Sequence, residues 1–173
     1  YSSAFGFQTT ASGTASVAFG YQSTASGSYS FVSGYSSTAS GLGSMAFGLN
    51  TTSSANYSTT MGSNTTASGL YSFACGYSTT APSLCETVVG LYNTTYAGNP
   101  NTLILTNRIF VVGNGTSSAD RSNALTVLKN GNVGIGVDAP TYTLAVSGTA
   151  AKTGGGSWSN LSDRRLKDIQ SEY

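Results

Sequence analysis

The chain has 173 residues, a net charge of +1 and 8% charged residues, whereas about a quarter of the residues in an average soluble domain are charged. This composition offers no basic patch, so we expect no nucleic-acid partner. With two cysteines and no histidine, we expect no metal site, and the sequence indicates no other cofactor. No run of about eighteen apolar residues occurs, so the sequence predicts no direct membrane insertion.

The first half of the chain is a strict fourteen-residue repeat that contains no charged residue before Glu86. Glycine, threonine and serine each recur at fixed positions. The main glycine column holds Gly6, Gly20, Gly34, Gly48, Gly62, Gly76 and Gly90, and a second column holds Gly13, Gly27, Gly41 and Gly69. The threonine column holds Thr10, Thr24, Thr38, Thr52, Thr66 and Thr80, and the serine column holds Ser16, Ser30, Ser44, Ser58 and Ser72. Repetition of this kind is typical of a solenoid.

The length of the repeat favours β-structure. Two glycines divide each repeat into two runs of about five residues, which is the length of a strand and too short for a helical hairpin. Each repeat is therefore predicted to form one flattened coil with two walls and two corners, and about seven such coils stack in parallel. We expect the glycines to occupy the corners, because glycine reaches positive φ without steric penalty.

Side chains alternate in size along the first wall of each coil. Val17 and Phe19 share one parity, whereas Ser16 and Ala18 share the other. A two-walled coil of this length has too thin an interior for stacked phenylalanine and methionine, so the small side chains are predicted inside. The bulky side chains then form an exposed apolar stripe, which is typical of an association surface. We expect three chains to bury this stripe around a threefold axis.

The repeat units resemble those of a known family. The units Ser16–Gly20, Ser44–Gly48 and Ser72–Gly76 alternate with Thr24–Gly27 and Thr66–Gly69. Over residues 1–97 they resemble the head repeats of YadA-like trimeric adhesins. The resemblance implies a left-handed parallel β-roll packed as a homotrimer, an architecture that serves bacterial adhesins and viral fibres alike.

Ordinary strand patterns replace the repeat beyond Pro82. Strands are predicted over residues 102–112, 124–128, 133–137 and 142–146. Asn130-Gly131 lies between two apolar runs and is a strong hairpin signal. The segment 123–148 resembles the β-rich segment that precedes the chaperone module of viral tail fibres, which implies a trimeric neck. The predicted divisions are a roll (1–98), a neck (99–148), a Gly/Ser linker (149–157) and the beginning of a chaperone domain (158–173).

The C-terminal tail differs in composition, because six of the chain's thirteen charged residues lie between Asp163 and Glu172. Residues 161–167 closely resemble the start of the intramolecular chaperone domain of phage tail spikes of the endosialidase type. That family trimerises the fibre and then cleaves itself at a Ser-Asp bond. The resemblance implies that Ser162 and Asp163 flank the scissile bond and that Lys167 is the assisting base. The residues alone also permit a short C-terminal helix with a solvated basic face.

Three functional classes follow from these patterns. The first is a structural trimeric fibre shaft or head, extracellular on a virion or a cell-surface appendage, with a host-surface glycan or receptor as its external partner. A bacterial trimeric adhesin head is the alternative within this class. The second is ice binding, because Thr24-Ala-Ser26 and its equivalents repeat hydroxyls along one wall. The third, a glycan-hydrolysing enzyme, needs paired carboxylates, and the repeat has none, so the only catalysis expected is single-turnover self-cleavage.

Two further groups of residues leave alternatives open. Cys75 and Cys85 are either small apolar side chains in the narrow core or members of a disulfide within or between subunits. Tyrosines such as Tyr29, Tyr57 and Tyr71 are able to stack on sugars if they are exposed, although packing is the commoner role of a tyrosine.

Overall fold

The computed structural model describes residues 1–149 and shows a parallel β-roll that continues into a small neck. Each coil contributes a five-residue strand to a long sheet and a two-residue strand to a short sheet. The coil strands of the long sheet are β1 (Ser3–Phe7), β3 (Val17–Tyr21), β5 (Phe31–Tyr35), β7 (Met45–Leu49), β9 (Thr59–Ser63), β11 (Phe73–Tyr77) and β13 (Thr87–Leu91). The short sheet contains β2 (Thr10–Ala11), β4 (Thr24–Ala25), β6 (Thr38–Ala39), β8 (Thr52–Ser53), β10 (Thr66–Ala67) and β12 (Thr80–Ala81). The predicted all-β solenoid is confirmed, and residues 1–149 contain no helix.

Successive coils stack in register without a shift. Val17 pairs with Phe31 in the long sheet, and Thr24 pairs with Thr38 in the short sheet. This parallel stacking, at about 4.8 Å per coil, lets the backbone of each coil hydrogen-bond to the coils on either side. The roll therefore satisfies its backbone without charged side chains.

Small side chains fill the interior of the roll, as predicted. Alanine dominates the inward positions of both sheets, and the serine column is buried beside it. The buried members include Ala18, Ala46 and Ala74 of the long sheet, Ala25, Ala39, Ala67 and Ala81 of the short sheet, and Ser16, Ser30, Ser44, Ser58 and Ser72. The bulky residues of the same strands point outward, and Phe19 and Met45 are 38% and 41% exposed. Val32, Thr60 and Val88 are the largest inward side chains of the coil strands in the long sheet, so the two walls pack closely without an aromatic or methionine side chain between them.

The glycine columns have a different role from the predicted one. The main column lies inside the long-sheet strands rather than at a corner, although most of its members do have positive φ, for example +117° at Gly62. The second column lies where a turn begins, but its φ values are ordinary. A Cβ added at Gly62 would overlap the carbonyl group of Gly76, and one added at Gly13 would overlap that of Gly27. The main column is glycine in every coil because successive backbones approach too closely there for a side chain, whereas the second column admits Ala55 and Ser83 in two of the coils.

Residues other than glycine form almost all of the left-handed corners. The amide corner, which joins the long sheet to the short sheet, consists of Gln8, Gln22, Ser36, Asn50, Asn64 and Ser78. The tyrosine corner, which returns the chain to the long sheet, consists of Ala15, Tyr29, Gly43, Tyr57, Tyr71 and Cys85. At the amide corner the side chains bond along the stack, with Gln22 Nε2 donating to Gln8 Oε1 at 2.8 Å. Asparagine tolerates left-handed backbone well, whereas tyrosine does so at a cost of about 1–2 kcal/mol per residue.

The long sheet continues from the roll into the neck. The neck strands are β14 (Arg108–Asn114), β15 (Asn123–Leu128), β16 (Val133–Ile135) and β17 (Leu144–Val146). β14 pairs parallel to β13, β15 pairs antiparallel to β14 and β16, and β17 pairs parallel to β16. The hairpin at Asn130-Gly131 is confirmed, since Gly131 N donates to Leu128 O at 3.0 Å. The strand predicted from Thr102 is wrong in its first half: Asn107 N donates to Ile104 O at 2.9 Å, which closes a turn before β14.

The roll ends where a longer polar side chain replaces the usual small one. Asn93 occupies a buried column that holds serine or threonine in the earlier coils. Elsewhere in the short sheet the backbone of the next coil accepts the corresponding hydrogen bond, as when Thr66 N donates to Thr79 O. At the last short strand, Thr80 N donates instead to Asn93 Oδ1 at 2.8 Å, and Asn93 Nδ2 donates to Thr80 O at 3.0 Å. The Asn93 amide thus takes the place of the next coil and caps the short sheet.

No helix in residues 1–149 is long and apolar enough to cross a membrane. The expected C-terminal helix, the linker from residue 150 and the chaperone start all lie outside the described residues.

Candidate binding surfaces

The outward side of the coil strands in the long sheet forms one continuous apolar face. We use the name apolar face for the outward residues of β1, β3, β5, β7, β9, β11 and β13. Its large exposed members are Phe5, Phe7, Phe19, Tyr21, Tyr35, Met45, Leu49, Met61, Tyr77 and Leu91, each between 37% and 59% exposed. No charged residue interrupts this face. Single exposed apolar residues need no explanation, but a contiguous apolar face of this length marks an association surface.

Aromatic side chains on the apolar face are stacked along the roll. Phe5 and Phe19 have ring centroids 5.0 Å apart with planes 11° from parallel. Tyr21 and Tyr35 stack at 4.8 Å and 9°. Because the coils are in register, equivalent side chains are held about one strand spacing apart, and the rings support one another. Rings on the apolar face therefore already contact one another within the chain, stacked in these two pairs and tilted around Phe31.

The outward side of the short sheet carries hydroxyl groups instead. Thr24, Thr38, Thr52, Thr66 and Thr80 are half-buried there, while Ser26, Ser40 and Ser54 beside them are exposed. Between these columns Ala25 and its equivalents point inward. The two walls of the roll thus present chemically different surfaces, one apolar and one hydroxylated.

Charged and polar side chains meet where the last coil joins the neck. This junction cluster consists of Ser83, Glu86, Tyr96, Arg108 and Lys129. Glu86 is fully buried, and its Oε2 accepts hydrogen bonds from Ser83 N at 3.0 Å and from Tyr96 OH at 3.1 Å. Arg108 N donates to Tyr96 OH at 3.2 Å, and Lys129 Nζ donates to Ser83 Oγ at 3.0 Å. These contacts tie the last coil to β14 and to the end of β15.

The Arg108 side chain extends the cluster toward the neck surface. Its guanidinium lies 4.3 Å from the centre of the Tyr96 ring and donates to both Thr94 O and Thr94 Oγ1 at 2.7 Å. The side chain of Asp138, which is 44% exposed, approaches it at 3.8 Å. Arg108 is therefore held by hydrogen bonds and stacking more than by an ion pair.

Burial determines the protonation behaviour of the cluster. It raises the pKa of Glu86 above its ordinary value of 4.5, although hydrogen bonds from Ser83 and Tyr96 and the charge of Arg108 act in the opposite direction. Burial, with the nearby Glu86 carboxyl, raises the pKa of Tyr96 to about 12. Burial also lowers the pKa of Lys129, and Glu86 opposes that change. Glu86 is fully buried, and the hydrogen bonds of the cluster hold roll and neck together.

The residues singled out from the sequence fall in three places. Ser162, Asp163 and Lys167 lie outside the described residues, so the proposed self-cleavage site stays a prediction. Cys75 lies half-buried on the apolar face, and Cys85 is exposed at the tyrosine corner. Neither cysteine is in the core, as the first alternative required, and they form no disulfide with each other. Within residues 1–149, no three His, Cys, Asp or Glu side chains cluster in a way that would hold a metal ion.

The fold and its surfaces define a parallel β-roll with one apolar and one hydroxylated wall. Five overlapping segments match the family described as the YadA head domain repeat, two copies at a time: residues 1–23, 11–37, 25–51, 39–59 and 53–79. Residues 1–79 are therefore similar to YadA-type head repeats. The roll continues past the last matched residue through β12 and β13. No curated protein matches the chain.

The junction cluster is the feature that the sequence interpretation missed. Its signal was Glu86, which replaces the recurrent serine. The Asn93 cap had a similar signal in the same coil, since Asn93 replaces serine or threonine. A periodic pattern identifies the positions that repeat, whereas Glu86 and Asn93 are important because they depart from the repeat.

Proposed function

We propose that the chain is a segment of a trimeric surface fibre or adhesin head in which three copies bury their apolar faces against one another. The observation that carries this proposal is the apolar face, which is uncharged, in register and continuous along the roll. The YadA-type repeats over residues 1–79 support it. Its role is to space and present an attachment surface outside the cell or virion that bears it.

The energetics favour association of the apolar faces. Fully burying a large apolar side chain stabilises by about 1.5–3 kcal/mol, so a half-exposed one contributes about 1 kcal/mol when a partner covers it. Each chain has ten such side chains on the face. Association costs roughly 4–15 kcal/mol in lost translational and rotational freedom. Assembling a trimer incurs this cost twice, and the gain summed over three chains, about 30 kcal/mol, exceeds the doubled cost through most of its range. The rings that already stack within the chain lose little further freedom on binding.

Analytical ultracentrifugation tests the trimer directly. The expected species has three times the chain mass of 17.6 kDa. Met61→Glu places a carboxylate at the middle of the apolar face, where Met61 is 44% exposed, and is expected to shift the chain to monomer because a buried, unpaired charge is costly. Ser54→Glu, on the exposed side of the short sheet, is the matched control and should leave the trimer intact. A wild-type chain that sediments as a monomer would refute the proposal.

The viral version of this role rests on the tail motif. If the chain belongs to a self-processing fibre, the bond between Ser162 and Asp163 is cleaved once a complete chaperone module follows it. Expression with the native downstream sequence should then release a product that ends at Ser162. Ser162→Ala should abolish the release, and Lys167→Met should slow it. An intact mass for the wild-type product would remove self-cleavage without affecting the trimer.

Ice binding is a second candidate because the short sheet presents its hydroxyls outward on successive coils. The threonine and serine columns form a regular, uncharged lattice at about one strand spacing per coil. Thermal hysteresis of the purified chain measures this activity, and replacing Thr38 and Thr52 by lysine should abolish it. Freezing without hysteresis or altered crystal shape would eliminate the candidate.

A further inference from the structure

The tyrosine corner carries exposed aromatic rings on strained backbone. Tyr29, Tyr57 and Tyr71 are 65%, 49% and 55% exposed, and their φ values are +58°, +55° and +58°. Left-handed backbone costs a tyrosine about 1–2 kcal/mol, a cost that Asn50 and Asn64 largely avoid at the opposite corner. The tyrosines belong to neither the interior nor the apolar face. Packing within the chain therefore does not account for the presence of these exposed tyrosine side chains.

The row of rings is interrupted at one coil. Tyr57 and Tyr71 stack at 5.3 Å with planes 7° from parallel. Gly43 occupies the equivalent position between Tyr29 and Tyr57, so one ring is missing there. A Cβ at Gly43 would lie 3.0 Å from Tyr57 Cδ1 and 3.1 Å from Cε1, which shows that Tyr57 leans over the glycine backbone. We call the space between Tyr29 and Tyr57 the Gly43 gap.

The width of the Gly43 gap fits a single ring. Two coils separate Tyr29 from Tyr57, which corresponds to about 10 Å at the usual strand spacing. A ring placed midway would lie about 5 Å from each tyrosine, within the range of roughly 4.5–7 Å for stacked rings. Because Tyr57 leans over Gly43, its ring must move back toward Tyr71 for the gap to become one ring wide. Tyr29 and Tyr57 then flank the gap on its two sides.

The rim of the gap is polar and uncharged. Asn56 is exposed, and its Oδ1 accepts a hydrogen bond from Leu42 N at 2.9 Å, which leaves the Nδ2 donor directed to solvent. Ser28 and Ser40 lie half-buried and exposed on the neighbouring turns. No charged residue occurs before Glu86. A phosphate or a charged peptide would find no counter-charge here, whereas a sugar ring has apolar faces for the tyrosines and hydroxyl edges for Asn56 and serine.

We propose that the Gly43 gap binds one ring of a neutral saccharide, stacked between Tyr29 and Tyr57 and hydrogen-bonded at its edge by Asn56 Nδ2. This site would give the proposed surface fibre or adhesin head a class of ligand, and its biological role rests on that proposed function. The site itself lies within one chain. Binding and trimer formation can therefore be measured separately on the same protein.

Saturation-transfer NMR with the full chain tests the site, using chitotriose, maltotriose and lactose as neutral probes and sialyllactose as the acidic one. At least one neutral probe should bind with a Kd on the order of 1 mM or tighter. Tyr29→Ala and Tyr57→Ala should each weaken that binding at least tenfold. Gly43→Tyr should abolish it by supplying the missing ring. The fold should accept the change because tyrosine has the same left-handed backbone in the neighbouring coils, and the Tyr57 ring, which would lie 3.0 Å from the new Cβ, needs only a small shift.

Tyr71→Ala is the matched control, because Tyr71 stacks on the far side of Tyr57 and does not face the gap. Its binding should stay within about threefold of wild type, a difference worth less than about 1 kcal/mol. The proposal is overturned if no neutral probe binds, if Gly43→Tyr binds as well as wild type, or if sialyllactose is preferred. Sedimentation of each sample shows whether a loss of binding accompanies loss of the trimer. A failure of the saccharide proposal can therefore be distinguished from a failure of the trimer proposal.

Discussion

The roll and the neck bury polar groups by different means. The roll uses neutral hydroxyls that repeat in every coil, such as Ser44 Oγ, which donates to Gly41 O at 2.8 Å. The neck gathers unlike charged groups in a single place, with Glu86, Arg108 and Lys129 joined through Ser83 and Tyr96. A repeated coil can hydrogen-bond only those polar groups that the neighbouring coils also carry and bond, so the repeats contain no charged side chain. A unique junction has no such constraint.

The difference bears on how each region should respond to change. In the roll, the limiting factor is the close approach of backbones, because every coil contacts the next along its whole length. In the neck, the limiting factor is the hydrogen bonding of a few buried charged groups. Substitutions of the same type in the two regions should therefore have unequal effects.

The largest difference is expected between two glycines with positive φ. Gly62→Ala in the roll should lower the free energy of unfolding by at least about 3 kcal/mol, because its φ is +117° and the new Cβ overlaps the Gly76 carbonyl group. Gly131→Ala in the neck should lower it by about 1–2 kcal/mol, the cost of a left-handed alanine, since no atom lies within 4 Å of its Cβ. Urea denaturation followed by circular dichroism measures both. Equal losses would show that backbone strain, rather than the contact between coils, decides the glycine columns.

These two glycines also show what the sequence could and could not predict. The fourteen-residue spacing predicted the coil, and the alternation at Ser16 to Phe19 predicted correctly which side chains are buried, because side-chain volume limits a thin interior. Spacing alone does not distinguish a glycine needed for a turn from one needed for close approach. The turns were therefore assigned to Gly62 and its equivalents, although Asn64 and its equivalents form them.

The candidate binding surfaces were predictable to different degrees. The apolar face followed from periodicity, since Phe19 and Met45 recur on the parity opposite to the buried alanines. The Gly43 gap required the structure, because only the stacking of Tyr57 on Tyr71 shows that a missing ring leaves a space. The start of β14 was misjudged because Leu103, Ile104 and Leu105 are apolar enough for a strand but are exposed in a turn.

Removing the central cation of the junction should have the next largest effect. Arg108→Ala removes the charged donor from both Thr94 O and Thr94 Oγ1, which leaves each with a single amide donor, and exposes the face of the Tyr96 ring. Hydrogen bonds to a charged group contribute about 1.5–3 kcal/mol, so the free energy of unfolding should fall by about 3 kcal/mol. Arg108→Lys keeps the charge but not the two-pronged geometry and should recover less than half of the loss. Full recovery by lysine in chemical denaturation would show that charge alone holds the junction.

Glu86 should make the stability of the neck depend on pH. Burial raises its pKa in the folded chain, so the folded state holds the proton more tightly than the unfolded state. Its stabilising contribution is complete below the unfolded pKa of 4.5 and is lost as the pH rises through the raised folded value. Each unit of that shift corresponds to about 1.4 kcal/mol.

Glu86→Gln provides the measurement, because it removes the titrating group and keeps an acceptor for Ser83 N. The melting temperature at about pH 4 minus that at about pH 7 should be larger for the wild type than for the variant. Met61→Glu is not a suitable comparison, since it changes assembly; Ser54→Gln on the exposed short-sheet side is the control. A pH profile that Glu86→Gln leaves unchanged would assign the dependence to other groups.

The smallest effect concerns two serines of one buried column. Ser44 Oγ donates to Gly41 O at 2.8 Å, whereas Ser30 Oγ is buried without a hydrogen-bond partner in the part of the chain that the structure describes. Ser44→Ala should lower the free energy of unfolding by about 1 kcal/mol, the net value of one hydrogen bond. Ser30→Ala should be neutral or stabilise by up to about 1 kcal/mol, because it removes an unsatisfied hydroxyl from a buried site. Thermal melts of both variants measure the difference, and opposite signs are expected. If both variants lose stability equally, the hydroxyls act by filling space between the walls. The buried serines of the roll would then contribute through packing, whereas the polar groups of the neck contribute through hydrogen bonds.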